Sequence, residues 1–173
     1  MKIILIGSPG SGKSTLAREL ALLTDSPVLH LDKLWHATDY SAAANLAFRK
    51  QLTDFIATHE DWIIDGNYQG SLDLRLPEAD LILWLKISRY KALYRIITRS
   101  LKTRYFKKNR PDMAENFQEK WDKEYWAFIK WVWQFPKNNE PKMLQLLEQY
   151  EMMDKVVILT TKKDKEKLMR KLS

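Results

Sequence analysis

The chain contains no cysteine, which excludes a disulfide framework and thiolate metal clusters. Its three histidines, His30, His36 and His59, lack zinc-type spacing. Long apolar runs are missing too. Only Ile3 to Ile6 precedes the first glycine, short of the roughly 7 to 15 residue core of a secretory signal, and no later segment approaches the roughly 18 apolar residues of a membrane span. Internal repeats, low-complexity linkers and a clear second domain are likewise absent. One cytoplasmic domain over residues 1–173, without a membrane partner, is the expectation.

Acid is missing from one stretch. Between Lys86 and Arg110 there are ten basic residues and no acidic one. The whole chain has 29 Lys and Arg against 22 Asp and Glu, a net charge of +7, so the remainder has 19 against 22 and is slightly negative, at −3. Local positive charge suits nucleic acid, a membrane surface or a small polyanion such as a nucleotide, and composition does not choose among them.

What is present is an alternation of strands and helices. Lys2 to Ile6 is an unbroken β-forming run ending at glycine, as in a strand buried on both faces of a parallel sheet. Ser14 to Leu23 carries Leu16, Leu20 and Leu23 at helical spacing. Val28–Leu31, Trp62–Ile64, Leu81–Leu85 and Val156–Leu159 read as four further strands. Ser41 is placed to cap a helix to about Thr58, with Leu46, Phe48, Leu52, Phe55 and Ile56 inside, and a lysine-rich helix follows the last strand. This order predicts a parallel, three-layered α/β sheet.

The roughly seventy residues between the fourth and fifth strands must hold helices of their own. The first runs from a Ser88 cap to about Phe106, with Tyr90, Leu93, Tyr94, Ile97, Leu101 and Tyr105 on one face and Lys91, Arg95, Arg99 and Lys102 opposite. The second spans about Asp112 to Gln134 with Phe117, Trp121, Tyr125, Phe128 and Val132 in a stripe, flanked by Trp126, Ile129 and Trp133. A third covers about Asn139 to Met152.

Gly7-Ser8-Pro9-Gly10-Ser11-Gly12-Lys13-Ser14 fits G-x-x-x-x-G-K-[ST] between the first strand and the first helix, the context the motif requires. Four fixed positions coincide by accident in on the order of one chain per hundred of this length, or fewer. Gly10 and Gly12 allow left-handed angles that turn successive N–H groups inward around an anion, and the helix start adds its positive dipole end. Lys13 brings a charge to the β and γ phosphates of a nucleotide, the Ser14 hydroxyl can ligate Mg²⁺, and Thr15 can donate to the α phosphate.

Asp65 closes Trp62-Ile-Ile-Asp65-Gly66, at the strand end where open α/β sheets put their ligand crevice, and is the candidate acid for Mg²⁺. Asp32, at the end of the second strand, reaches the same edge and could accept a proton from a phosphoryl acceptor. Its neighbour His30 reads as a structural or orienting group. Phosphoryl transfer spreads negative charge over the moving group, so cations are needed when the site closes. Arg95 and Arg99 are the first candidates, then Arg104 and Arg110, all in the basic stretch; Arg75 is a candidate for binding the acceptor. The Trp and Tyr stripe reads mainly as core, though an aromatic wall would also stack a ring.

Gly7 to Thr15, His30-Leu-Asp32 with Trp35, Asp65-Gly66-Asn67-Tyr68, and Arg110-Pro-Asp-Met113 with Trp131-Val-Trp133 together resemble the adenylate-kinase-like P-loop proteins labelled DNA topology modulation, or FlaR-like. The resemblance covers nearly the whole chain. It implies a P-loop kinase fold with a five-stranded parallel sheet in order 2-3-1-4-5, a core of residues 1–87 and 154–173, a helical lid over about 88–153, and ATP with Mg²⁺. Adenylate kinases follow Asp-Gly with a segment whose arginine holds the acceptor phosphate; here Asn67-Tyr68-Gln69 follows instead. Ser14 after the loop lysine is closer to kinases of small alcohols, in which an aspartate after the second strand works near the acceptor hydroxyl. The expectation is a kinase moving the γ-phosphoryl of MgATP to a nucleoside monophosphate or small alcohol. The alternatives are a nucleotide-dependent DNA-binding protein using the basic stretch, and an ATPase without a dedicated acceptor.

Overall fold

In the computed structural model, residues 1–106 and 121–172 are described, apart from the side chains of residues 104–106. Five short apolar runs form one parallel sheet: β1 (Lys2–Gly7), β2 (Val28–His30), β3 (Trp62–Asp65), β4 (Leu81–Leu85) and β5 (Val156–Leu159). Their order is β2-β3-β1-β4-β5. Around them lie α1 (Lys13–Thr24), α2 (Leu31–His36), α3 (Ala42–Thr58), α4 (Leu72–Arg75), α5 (Arg89–Phe106), α6 (Lys123–Asn138), α7 (Glu140–Gln149) and α8 (Lys162–Leu172).

The continuous apolar run of β1 has the physical cause expected of it, since successive residues feed two cores. Ile4 and Ile6 point into one, with Phe48 and Leu52 of α3, Leu72 of α4 and Met143 and Leu147 of α7. Ile3 and Leu5 point into the other, with Leu16 and Leu20 of α1 and Leu168 of α8. Each side chain so buried is worth about 1.5–3 kcal/mol, and helices on both faces give the three layers. Ser41 caps α3, its hydroxyl accepting from Ala44 N–H at 3.1 Å. Asp122 caps α6 in the same way through Tyr125 N–H at 3.0 Å. Among the described residues no helix is long and apolar enough to cross a membrane.

Several expectations are corrected. The second strand stops at His30, and Leu31 opens α2, a short helix without a sequence signal of its own. Leu46 is 72% exposed, and the buried residues of α3 are Phe48 and Leu52. On α5 the expected apolar face is split: Tyr90 and Tyr94 are each 71% exposed, Leu93 packs against the core, and Ala92, Ile96 and Ser100 are buried. The reason is close approach. A Cβ on Gly10 would lie 3.1 Å from the Ala92 carbonyl oxygen and 3.3 Å from Ile96 Cγ1, so this face needs small or branched side chains rather than tyrosine. Ala92 and Ile96 also share a small core with Val132 of α6. The second inserted helix runs on to Asn138, past the expected end at Gln134 and through Pro136. Its expected first part, from Asp112 and including Phe117, lies outside the described residues. Tyr125 and Val132 of its stripe are buried, joined by Phe135.

Candidate active site

The glycine loop leaves β1 at Gly7 and enters α1 at Gly12. Gly10 and Gly12 adopt φ of +72° and +89°, the left-handed angles expected of them. The hydroxyls of Ser8 and Ser11 are buried without a hydrogen-bond partner among the described residues. Lys13 Nζ donates to the Gly7 and Ser8 carbonyls, each at 3.0 Å, which fixes the ammonium at the loop. Burial pushes its pKa below the ordinary lysine value. Asp65 and Asp32 pull it up, while Arg99 and Lys165 push it further down. Lys13 therefore sits between a carboxylate side and a cationic side. Ser14 and Thr15 follow in the first turn of α1.

On the carboxylate side, the parallel register places His30 of β2 opposite Asp65, the last residue of β3. His30 Nδ1 lies 2.9 Å from Asp65 Oδ2, so His30 orients that carboxylate. Asp65 is 5% exposed, and its Oδ1 has no hydrogen-bond partner among the described residues. Asp32 stands in the first turn of α2 rather than at a strand end. Burial holds the Tyr68 phenol far above its ordinary pKa, and the nearby Asp32 carboxylate pushes it the same way.

Arg75 has a different role from acceptor binding. It is 0% exposed, and its guanidinium donates to the carbonyls of Gly66 at 2.8 Å, Asn67 at 2.9 Å and Tyr68 at 3.3 Å. Burial lowers its pKa to about 9 against the pull of Asp65 and Asp73. Asn67 anchors the loop, a role that residue chemistry alone did not single out. Its Oδ1 accepts from Gly7 N–H at 2.8 Å and its Nδ2 donates to the Gly7 carbonyl at 2.9 Å. The signal was available in the register: Leu5 pairs with Asp65, so two residues further on Gly7 meets Asn67. The side-chain amide continues the β1–β3 ladder where the backbone strand ends.

On the cationic side, Arg95 Nη1 donates to the Gly10 carbonyl at 3.3 Å, and Arg99 is partly buried near enough to act on Lys13. Lys165 of α8, which no motif marked, donates to the Ser11 carbonyl at 3.0 Å. A cleft of about 690 Å³ opens here, lined among others by Gly12, Thr15, Glu19, Arg95 and Lys165. Arg104 and Arg110 fall outside the described side chains. Other cations of the acid-free stretch are engaged inside the chain: Lys86 pairs with Glu140 at 3.2 Å and covers the Trp84 ring, and Arg89 lies over Trp133. Among the described residues no group of three or more His, Asp or Glu could cage a metal by itself.

The chain matches no protein-family model and no curated protein. Its fold does match solved structures. A candidate kinase from Chloroflexus aurantiacus J-10-fl superposes with a TM-score of 0.50 at 16% identity, covering 86% of this chain and 97% of that one. A gluconokinase from Sinorhizobium meliloti 1021 does so with a TM-score of 0.50 at 12% identity, covering 99% of this chain and 88% of that one. At these identities the likeness concerns the fold alone: a five-stranded parallel sheet in order 2-3-1-4-5, wrapped by helices.

Proposed function

We propose that the chain is a P-loop phosphotransferase that moves the γ-phosphoryl of MgATP to a small acceptor. The observation that carries this reading is the position of Lys13. It is anchored on two loop carbonyls, with Asp65 and Asp32 to one side and Arg99 and Lys165 to the other. The surrounding groups fit a nucleotide phosphate chain. The left-handed Gly10 and Gly12, the unpartnered hydroxyls of Ser8 and Ser11, and the start of α1 supply inward donors and a positive dipole end.

Mg²⁺ held with a nucleotide needs one or two carboxylates plus phosphate oxygens rather than a protein cage. The unpartnered Asp65 Oδ1 and the Ser14 hydroxyl suit that arrangement. When bound, the ion would neutralise charge on the β and γ phosphates. Lys13 would balance charge on the transferring group, Thr15 would face the α phosphate, and the cleft beside Arg95 and Lys165 would take the base and ribose. Arg95 and Arg99 would close over the reacting centre from α5, as part of a lid over 88–153 in a one-domain, cytoplasmic enzyme. Asp32 would receive the acceptor's proton.

The FlaR-like resemblance is compatible with this reading, because Trp35 and Tyr68 of its motifs come together at the acceptor edge, ring centroids 6.3 Å apart. DNA binding by the basic stretch is less favoured, since Lys86 and Arg89 are already engaged within the chain. The test is Mg²⁺-dependent ADP release from ATP across a panel of hydroxylated metabolites, nucleosides and nucleoside monophosphates, with Lys13→Ala as the blank. Acceptor-stimulated release that the variant loses supports the reading; release indifferent to Lys13 refutes it.

A further inference from the structure

The acceptor side of the site is built from carboxylates and rings. Trp35 of α2 packs against Phe48 at 5.6 Å in an edge-to-face contact and against Tyr68 at 6.3 Å, and Phe48 lies 5.4 Å from Tyr68. Tyr40 continues the group, 5.7 Å from Trp35 and 55% exposed. Phe48 is buried, whereas Trp35 and Tyr68 are only partly so. The Asp32 carboxylate, one helical turn before Trp35 on α2, is close enough to Tyr68 and to Lys13 to act on both. The ring shelf is thus joined to the loop lysine through one carboxylate.

The guanidiniums of the elements on this side are already committed. Arg75 is sealed under the carbonyls of Gly66, Asn67 and Tyr68. Arg49 of α3 is forked onto Asp73 at 2.6 and 3.1 Å and also donates to the Gly70 carbonyl. Lys33 is exposed and follows Asp32 directly, so it projects about 100° round α2 from that carboxylate. Among the described residues, a phosphate carried on the acceptor would meet Asp32 and Asp65, while the guanidiniums of α3 and α4 are already held by other partners. Desolvating an unpaired dianion beside two carboxylates is among the costliest arrangements a site can adopt.

Resting on the phosphotransferase reading, we propose that the acceptor is an uncharged, hydroxyl-bearing ring compound. Its ring lies on the Trp35–Tyr68 shelf and its hydroxyl faces Asp32, which disfavours phosphorylated acceptors. In the transfer, the acceptor O–H proton passes to the Asp32 carboxylate and the acceptor oxygen forms a bond to the γ phosphorus. The bond from that phosphorus to the β–γ bridging oxygen breaks, and its electron pair leaves on ADP.

The test uses the full chain with MgATP, nucleosides as uncharged probes and their 5′-monophosphates as charged ones. At least one nucleoside is expected to raise Lys13-dependent ADP release tenfold or more, with its own 5′-monophosphate at least tenfold poorer in kcat/KM. Trp35→Ala should raise KM for that nucleoside about tenfold or more while leaving KM for ATP within twofold, and Trp35→Phe should restore most of it. Preference for the monophosphates, or stimulation by neither class, overturns the proposal. Binding of a fluorescent ATP analogue is followed in parallel. If Lys13→Ala abolishes that binding while nucleosides fail, the nucleotide site stands and only the acceptor inference falls. If the wild type does not bind the analogue, both readings fall.

Discussion

Asn67 holds the exit of β1 through two hydrogen bonds from one amide, at 2.8 and 2.9 Å to the N–H and C=O of Gly7. Alanine at 67 removes both. The Gly7 carbonyl keeps a second partner in Lys13 Nζ at 3.0 Å, so the larger loss falls on the N–H. Intramolecular hydrogen bonds are worth about 0.5–1.5 kcal/mol each, and an unmade one at a buried donor costs about 1–3. Asn67→Ala is thus expected to lose about 2 kcal/mol. At about 2–4 °C per kcal/mol for a chain of this size, the melting temperature should fall by about 4–8 °C. Asn67→Asp is the sharper probe: it keeps an acceptor for the N–H but turns an oxygen toward the Gly7 carbonyl, and should cost at least as much. Because Gly7 opens the glycine loop, the proposed function predicts that both variants also bind ATP more weakly. Urea denaturation of the three proteins, with and without MgATP, reads both effects. Stabilities within 0.5 kcal/mol of wild type for both variants, with unchanged ATP affinity, would refute the clamp.

Gly7→Ala tests the backbone path more severely, since its Cβ would lie 2.0 Å from the Leu85 carbonyl oxygen at φ +130°. Backbone strain of about 1–3 kcal/mol and overpacking of about 1–3 should lower the urea midpoint sharply, and a wild-type midpoint would contradict the close β1–β4 approach. Asp164 caps α8, the helix that delivers Lys165, by accepting from the N–H groups of Thr160 and Thr161 at 2.9 and 2.8 Å. These bonds lower its pKa from 3.8 to about 2. Because the folded value is the lower one, its contribution is complete above about pH 4 and is lost as pH falls toward 2. Asp164→Asn should therefore destabilise the protein at neutral pH, with the gap closing near pH 2 in denaturation curves. A gap independent of pH would refute the role of its charge.

The strands and the glycine loop were legible in the sequence because both rest on local chemistry. Ile3 to Ile6 cannot be solvated on either face, and Gly10, Gly12 and Lys13 are required together by the geometry of an anion cradle. The position of Asp65 was legible for the same reason, as a carboxylate at the end of a buried run. Asn67, Arg75 and Lys165 were not, because their roles depend on which strand or helix lies beside them, 60 residues away for Asn67 and Gly7 and 154 for Lys165 and Ser11. The outward turn of Tyr90 and Tyr94 has a similar origin: periodicity finds an apolar stripe on α5, but Gly10 admits only the face bearing Ala92 and Ile96.

The central claim is tested most directly by following the γ-phosphoryl group itself. With γ-labelled ATP, Mg²⁺ and a mixture of uncharged hydroxylated compounds, the wild type should place label on an organic acceptor, and Lys13→Ala should reduce that transfer at least a hundredfold. Label appearing only as inorganic phosphate, or on an acceptor at equal rates with and without Lys13, would contradict the account.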